Sequence, residues 1–250
     1  MSGAAELVVD VGHSRVKWGR CQGGRLVDSS VRSCALDDPE PLLTTLERES
    51  IGHLIWSPQS HGATIDRIGN EFRALGVSCR TVTSGVLDLP VAAAYPDLGT
   101  DRWLALQWPW LQSRRALCII DCGTAVTVDA VDGQGRHLGG WIMAGLRMLR
   151  TGMAHSAPRL PTPVSEATIA SGPATDSAQA ISRGFRLQLI GGIQSALAEL
   201  QSTLGPDFAC WLTGGDAPVL AAALTDAQAR PVNHDPHLVL RGLALAGTRP

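Results

Sequence analysis

Two short segments place a carboxylate, a glycine and, in the second, a hydroxyl directly after an apolar run. The first contains Asp10 and Gly12, and the second contains Asp121, Gly123 and Thr124. Glycine lets a phosphate group approach the backbone N–H groups closely, and an aspartate can hold or orient a cation. The pattern suits metal–phosphate chemistry. An ordinary hairpin whose aspartate caps the turn explains the second segment, taken alone, about as well.

Other charged residues fit the transfer of a phosphoryl group. That reaction needs positive charge at the phosphates and a group that orients the acceptor hydroxyl. Lys17, the only lysine in the chain, and a Mg²⁺ ion held near Asp10 would supply the charge. Asp101 is the candidate for orienting the hydroxyl, and Arg102 would bind an anionic acceptor through its guanidinium fork. Capping a helix N-terminus is the commoner role for an aspartate placed like Asp101.

A third glycine turn follows the apolar run Phe208–Leu212, where the sequence reads Thr-Gly-Gly-Asp. Together the three turns predict a two-lobed phosphate clamp whose third loop meets the nucleoside. The sequence contains no P-loop, no G-x-G-x-x-G after a strand, no G-x-S-x-G and no H-E-x-x-H. These absences argue against a P-loop enzyme, a Rossmann dinucleotide site, a serine hydrolase of the elbow type and a zincin.

The composition narrows the class of protein. The 250 residues carry a net charge of −2 and are 44% hydrophobic, which is enough for one large core or two modest ones. No block of Lys and Arg predicts binding to nucleic acid, and no apolar run predicts a signal peptide or a membrane helix. No cysteine pair has Cys-x-x-Cys spacing, which favours buried thiols in a reducing compartment and a cytoplasmic location.

Strands alternate with helices along the chain, which predicts an α/β fold. Strands are predicted at 6–11, 26–31, 53–57, 77–82 and 208–212, in addition to the two hairpins. Helices are predicted at 41–49, 59–75, 146–155, 177–200, 217–224 and 238–246. The Pro-rich segment 158–166 and residues 234–236 are predicted to be loops, the first of them mobile.

The two Asp-bearing segments also resemble each other. LVVDVGHSRVKWG and CIIDCGTAVTVDA share the apolar lead-in, the aspartate and the glycine, and they lie about half a chain apart. Such spacing indicates a duplicated domain, with chance similarity as the alternative. We expect an N-terminal lobe at residues 1–112 and a C-terminal lobe at residues 113–250, with any hinge near 107–115.

Six motifs occur in order between residues 7 and 247. They are DVGHSRVKWG, GTDRW, DCGTAVTVD, GRHLGGWIMAGL, SAQAISRG, and TGGDA together with HLVLRGLALAG. Each motif is weak alone, but in this order they resemble those of the type III pantothenate kinases. The resemblance implies a duplicated actin/hexokinase/Hsp70-type (ribonuclease H-like) fold. It also implies ATP-dependent phosphorylation of pantothenate, the first step towards coenzyme A, by a homodimer.

The resemblance also assigns roles to residues. It makes Asp101 the proton acceptor and Asp121 the ligand of a monovalent cation, K⁺ or NH₄⁺, with Mg²⁺ as the divalent cation. The implied ATP-binding residues are Asp10, Val11, Gly12, His13, Ser14, Arg15, Val16, Lys17 and Thr124. The implied pantothenate-binding residues are Gly99, Thr100, Asp101, Arg102 and Ser177.

Three positions depart from the family pattern. His13 stands where the family usually has Asn; it can donate one hydrogen bond but is bulkier and can titrate. Ser177 replaces a Thr and keeps the hydroxyl. The family often has a Tyr before the acceptor motif, and Tyr95, the only tyrosine, lies closer to Gly99 than that pattern predicts.

Two other functions remain compatible with these residues. One is a regulatory or accessory protein on the same scaffold, which His13 keeps open. The other is a kinase for a different small acceptor. Catalysis is favoured over a purely regulatory role by the presence of Asp101, Asp121 and Lys17. An acceptor with a carboxylate is favoured over a neutral sugar by the Asp101–Arg102 pair.

Overall fold

The computed structural model describes residues 5–49, 51–59, 62–163, 172–227 and 231–249. The chain forms two compact units. The first contains Met1–Arg114, Gly135–His137 and His237–Pro250, and the second contains Arg115–Gln134 and Leu138–Pro236. The lobe boundary at 112/113 stays a prediction, and each unit is described separately below.

A mixed sheet forms the centre of the first unit. Its strands are β1 (Ala5–Val11), β2 (Arg15–Gln22), β3 (Arg25–Leu26), β4 (Arg32–Ala35), β5 (Ile51–Pro58) and β6 (Ser78–Thr81). The order is β3-β2-β1-β5-β6, and β4 also pairs with β2. β1 runs antiparallel to β2 and parallel to β5, so the first hairpin lies at the middle of the sheet.

The second unit has its own sheet. Its strands are β7 (Leu117–Cys122), β8 (Ala125–Val131), β9 (His137–Ala144), β10 (Ala209–Thr213) and β11 (Val232–His234). The order is β11-β10-β7-β8-β9. β7 runs antiparallel to β8 and parallel to β10, which repeats the plan of the first sheet and confirms the duplicated fold.

Helices cover both sheets. They are α1 (Glu40–Arg48), α2 (Ala63–Ala74), α3 (Thr100–Ser113), α4 (Leu146–Ser156), α5 (Ser177–Leu204), α6 (Ala217–Ala227) and α7 (Leu238–Gly247). Side chains alternate along β1, so Val9 packs with α1 and α2 while Val8 packs with α3 and α7. Apolar residues of α4, α5 and α6 pack on one face of the second sheet.

The predicted helices are all present, with small shifts at their ends. The helix predicted over 59–75 is α2, and it ends in a Schellman motif: Gly76 has φ +69°, and the Val77 N–H donates to the Phe72 carbonyl at 3.2 Å. This C-terminal glycine confirms the sequence prediction. No helix of the described residues is long and apolar enough to cross a membrane.

Two local predictions were wrong. The strand expected over 26–31 is interrupted by a 3₁₀ turn at Asp28–Ser30, because the Ser30 hydroxyl and N–H both bond back to the Val27 carbonyl, at 2.6 and 2.9 Å. The loop expected from residue 234 begins only after β11, whose short polar sequence gives no strand pattern. In the Pro-rich loop, residues 164–166 lie outside the described part of the chain.

Candidate functional site

A row of polar side chains crosses the centre of the first sheet. Asp10 pairs with Lys17 on β2 and with Ser57 on β5. Residues directly opposite each other on neighbouring strands project to the same face. Lys17, Asp10 and Ser57 therefore share the face that α3 and α7 cover, whereas Val9 and Val11 face the other core. The strand register itself therefore places Lys17 and Asp10 opposite each other on one face of the sheet.

The turn between β1 and β2 is closed by its own backbone. The Gly12 N–H donates to the Arg15 carbonyl at 3.0 Å. The Ser14 carbonyl accepts from Leu36 N–H at 3.0 Å, and the Arg15 guanidinium donates to Ser33 Oγ at 2.7 Å. The side chain of His13 is exposed at the tip of this turn. The predicted phosphate-binding segment is thus a tight hairpin. Hydrogen bonds hold it to Ser33 of β4 and to Leu36, which follows β4.

The acceptor motif forms the N-terminus of α3. Gly99 is the N-cap residue, and no side chain of its own caps the helix. Asp101 is the second helical residue, and its Oδ1 accepts from the Arg102 N–H at 2.8 Å. The alternative role of Asp101 as the N-cap is therefore wrong. A Cβ at Gly99 would lie 2.8 Å from Asp101 Oδ1, so glycine leaves the carboxylate its space.

Tyr95 lies against the acceptor motif. Its hydroxyl accepts a hydrogen bond from Arg102 Nη1 at 2.9 Å. Its ring is tilted by 34° to that of His137, with the ring centroids 6.2 Å apart. The short spacing between Tyr95 and Gly99 along the chain therefore lets the Tyr95 hydroxyl reach Arg102. Tyr95 is thus a neighbour of the acceptor motif.

Gln59 is a site residue that sequence reasoning missed. Its Nε2 donates to Ser57 Oγ at 2.8 Å and to Asp10 Oδ1 at 3.5 Å, and its Oε1 accepts from the Asp101 N–H at 3.4 Å. One amide thus touches both the polar row and the start of α3. The sequence gives no signal for this, because Gln59 is uncharged and belongs to none of the Asp-x-Gly or other phosphate motifs.

A second polar row crosses the other sheet. Asp121 pairs with Thr127 on β8 and with Thr213 on β10. The Gly123 N–H closes the turn by donating to the Ala125 carbonyl at 3.0 Å, so this turn is one residue shorter than its counterpart in the first sheet. Both sheets thus contain an aspartate that pairs with one residue on an antiparallel strand and one on a parallel strand. The residue on the parallel strand carries a hydroxyl in both sheets: Ser57 in the first and Thr213 in the second.

Thr124 is held by the start of α4. Its carbonyl accepts from the Gly145 N–H at 3.2 Å, and its Oγ1 accepts a long hydrogen bond of 3.5 Å from Arg147 Nη2. A Cβ at Gly145 would lie 2.4 Å from the Thr124 carbonyl oxygen, so only glycine allows this approach. The second glycine turn and the N-terminus of α4 therefore form one structure.

The third glycine turn packs directly on the end of β7. The Asp216 N–H donates to the Cys122 carbonyl at 2.8 Å. Gly214 has φ +96°, and a Cβ there would lie 2.5 Å from Asp121 Oδ1. This turn and the Asp121 turn are therefore neighbours within the second unit.

Comparison with known proteins identifies the family. The family model described as type III pantothenate kinase matches residues 6–199. The type III pantothenate kinase of Pseudomonas aeruginosa strain LESB58 is 32% identical over 96% of this chain and 98% of its own. That of Pseudomonas paraeruginosa is 35% identical over the same shares. The chain belongs to the type III pantothenate kinase family.

Solved structures agree on the fold. A conserved Baf family protein from Campylobacter jejuni has a TM-score of 0.61 at 18% identity, over 95% of this chain and 94% of that one. A ROK family glucokinase from Streptomyces griseus has a TM-score of 0.51 at 14% identity, over 97% of this chain and 98% of that one. At these identities the likeness shows the fold alone, which is the actin/hexokinase-like fold of many kinases.

Asp121 lies close to a buried thiol and to the turn that carries Asp216. Burial raises the pKa of the Cys122 thiol well above its usual range, and the charges of Asp121 and Asp216 raise that pKa further. The carboxylates of Asp121 and Asp216 thus both lie near the Cys122 thiol, beside the turn at Gly214. Within the described residues no group of three or more His, Cys, Asp or Glu could hold a metal.

The predicted site residues of this pantothenate kinase family member fall into three groups. Asp10 of the first hairpin and Asp101 of the acceptor motif come together in the first unit at Gln59. Asp121 and Thr124 come together in the second unit, at the ends of β7 and the following turn. Ser177 is exposed as the first residue of α5, where Asp176 caps the helix by accepting from the Gln179 N–H at 2.9 Å.

Proposed function

We propose that this chain phosphorylates pantothenate with ATP to give phosphopantothenate, the first step towards coenzyme A. The observation that carries the proposal is the position of Asp101. Its backbone is joined through Gln59 to the row of Lys17, Asp10 and Ser57, in a chain of the type III pantothenate kinase family.

Asp101 is the general base of the proposed reaction. Its carboxylate accepts the proton of the primary hydroxyl of pantothenate while the hydroxyl oxygen forms a bond to the γ-phosphorus of ATP. The bond from that phosphorus to the bridging oxygen breaks, and ADP leaves with the electron pair. Because the transition state is loose, positioning and charge carry most of the catalysis. Asp101 has Oδ1 anchored on the Arg102 N–H, which orients the carboxylate.

The two hairpins bind the phosphates of ATP in this proposal. Lys17 supplies fixed positive charge beside Asp10, and the turn from Val11 to Val16 supplies backbone N–H groups. Thr124 offers a hydroxyl at the second turn. Asp10 would hold Mg²⁺ and Asp121 would hold K⁺ or NH₄⁺, and these cations would neutralise the charge that develops on the transferred group.

The acceptor side is built on α3. Arg102 has a planar guanidinium that can bind the carboxylate of pantothenate, and the hydroxyl of Tyr95 holds one of its nitrogens at 2.9 Å. Gly99 and Thr100 line the same helix start, whose N–H groups favour an anion. Ser177 is the further contact that we propose for the acceptor.

We further propose that the enzyme is a cytoplasmic homodimer. The six cysteines are thiols rather than disulfides, which agrees with a reducing compartment. In β9, Trp141 and Met143 pack on the core of the second unit, while Ile142 is 65% exposed and Leu138 is 44% exposed. An outward-facing apolar pair on an edge strand is a suitable surface for a second copy.

The decisive experiment measures ATP consumption with pantothenate, in Mg²⁺ with and without K⁺. We expect turnover that requires K⁺. Asp101→Asn should lower kcat by roughly 10²–10⁴-fold, which is the usual contribution of a general base. Affinity for ATP should stay nearly unchanged, because the substitution leaves both hairpins intact.

Asp97→Asn is the matched control, because Asp97 is exposed on the loop that precedes α3. It should retain wild-type kcat. Absence of pantothenate turnover by the wild-type protein would refute the proposal, and turnover of a neutral sugar instead would assign the site to another acceptor.

A further inference from the structure

Gln59 occupies the junction between the polar row of the first sheet and the helix that carries Asp101. Its backbone is fixed first: the Gln59 N–H donates to the Val11 carbonyl at 2.9 Å, which extends the pairing of β1 with β5 by one residue. The side chain therefore starts from a position set by the sheet.

The side-chain amide is then oriented by its neighbours. Ser57 Oγ is fully buried and accepts from Gln59 Nε2 at 2.8 Å. The same nitrogen lies 3.5 Å from Asp10 Oδ1, while Oε1 lies 3.4 Å from the Asp101 nitrogen. The opposite orientation would turn the amide oxygen towards a carboxylate and the NH₂ towards an N–H group, so the surroundings select this one.

The bond to Asp101 also fills a structural need of α3. The first N–H groups of a helix have no partner within the helix, and the N-cap residue Gly99 has no side chain to supply one. Gln59 supplies it from the position directly after β5. The start of α3 is thereby capped by a residue that also touches Asp10.

We propose that Gln59 is a positioning residue that sets the distance between Asp10 and Asp101. This inference rests on the proposed kinase function, in which Asp10 belongs to the ATP side and Asp101 to the acceptor. Displacing a reacting group by about 1 Å can cost on the order of 100-fold in rate. Gln59 does not touch the reacting atoms in this proposal, so it acts on the rate through Asp101.

The test replaces Gln59 with Met, which has a similar length and loses both hydrogen-bonding ends. We expect kcat to fall about 10-fold while the KM values for ATP and pantothenate change less than about 3-fold. Gln22→Met makes the same chemical change at an exposed position of β2 and should leave kcat unchanged.

A double-mutant cycle separates positioning from general damage to the fold. If Gln59 acts through Asp101, the 10-fold effect of Gln59→Met should shrink to less than about 2-fold in the Asp101→Asn background. Equal effects in both backgrounds would overturn the inference.

Amide hydrogen exchange tests the same inference without relying on activity. In Gln59→Met, the first turn of α3 should exchange faster than in the wild-type protein, whereas α2 should be unchanged. Unchanged exchange at the start of α3 would overturn the role of Gln59 even if the protein proved to phosphorylate another acceptor. Inactive wild-type protein with faster exchange in the variant would instead refute only the kinase proposal.

Discussion

At the scale of single residues, hydrogen bonds and ring contacts hold the side chains of the candidate site in place. Arg102 is the clearest case, because a free arginine side chain samples many conformations and a bound one must be held. The hydroxyl of Tyr95 restrains one nitrogen, and His137 lies beside the ring of Tyr95. The guanidinium that we propose for binding the acceptor is therefore held in place by the protein itself.

Tyr95→Phe should weaken acceptor binding without changing the chemical step. The variant keeps the ring contact with His137 and loses only the oxygen that accepts from Arg102. Loss of a hydrogen bond of about 1 kcal/mol corresponds to a rise of about 5-fold in the KM for pantothenate. Steady-state kinetics should show kcat and the KM for ATP unchanged, and a fall in kcat alone would contradict a binding role.

At the scale of elements, the position of Asp101 depends on how α3 is seated. α7 packs closely against α3, since a Cβ at Gly242 would lie 2.2 Å from the Leu104 carbonyl oxygen. Backbone atoms cannot move aside as a flexible side chain can. Glycine at this position therefore sets the distance between the two helices on the face of the sheet that carries Asp10.

Gly242→Ala should destabilise the protein, although alanine is normally the better helix former. Overpacking of this kind costs about 3 kcal/mol, which lowers Tm by roughly 6–12 °C in a chain of this size. Thermal unfolding measures the change. Gly152→Ala is the matched control: it lies in α4 with no heavy atom within 4 Å of the added Cβ, and it should raise stability by up to about 1 kcal/mol. Equal Tm values for the two variants would contradict the account.

At the scale of the whole molecule, the duplicated plan explains why each unit contains a similar Asp-bearing hairpin. Each unit places an aspartate at the end of a central strand, between an antiparallel and a parallel neighbour. The copies have diverged in detail: the row partner is Lys17 in the first sheet and Thr127 in the second. The row of the first sheet thus carries a basic side chain opposite its aspartate, whereas the row of the second sheet carries a hydroxyl.

Ile142→Arg tests the proposed homodimer. A charged side chain on the outward face of β9 should oppose burial of this face against a second copy. In a sedimentation-velocity experiment, the sedimentation coefficient should therefore shift towards that of the monomer. Val86→Arg is the matched control, because Val86 is an apolar residue with 72% exposure in the first unit. Dimers that persist in Ile142→Arg at micromolar concentration would remove this surface from the proposal.

Much of the fold could be predicted because its signals are local. Apolar alternation marks β1 and β7, and glycine ends α2 at Gly76 in the conformation that glycine favours. The 3₁₀ turn at Asp28–Ser30 could not be predicted from alternation, because the hydrogen bonds of Ser30 compete with strand pairing.

The sequence alone determined the family, the duplicated α/β fold and most of the candidate residues, since each motif is a short stretch whose chemistry and spacing can be read directly. Only the tertiary structure decided which residues meet. It brought Gln59 between Asp10 and Asp101, and it seated Tyr95 on Arg102. The physical reason is that these contacts join strands, loops and a helix that are distant in the chain, so sheet register and helix packing, rather than any local pattern, fix their distances.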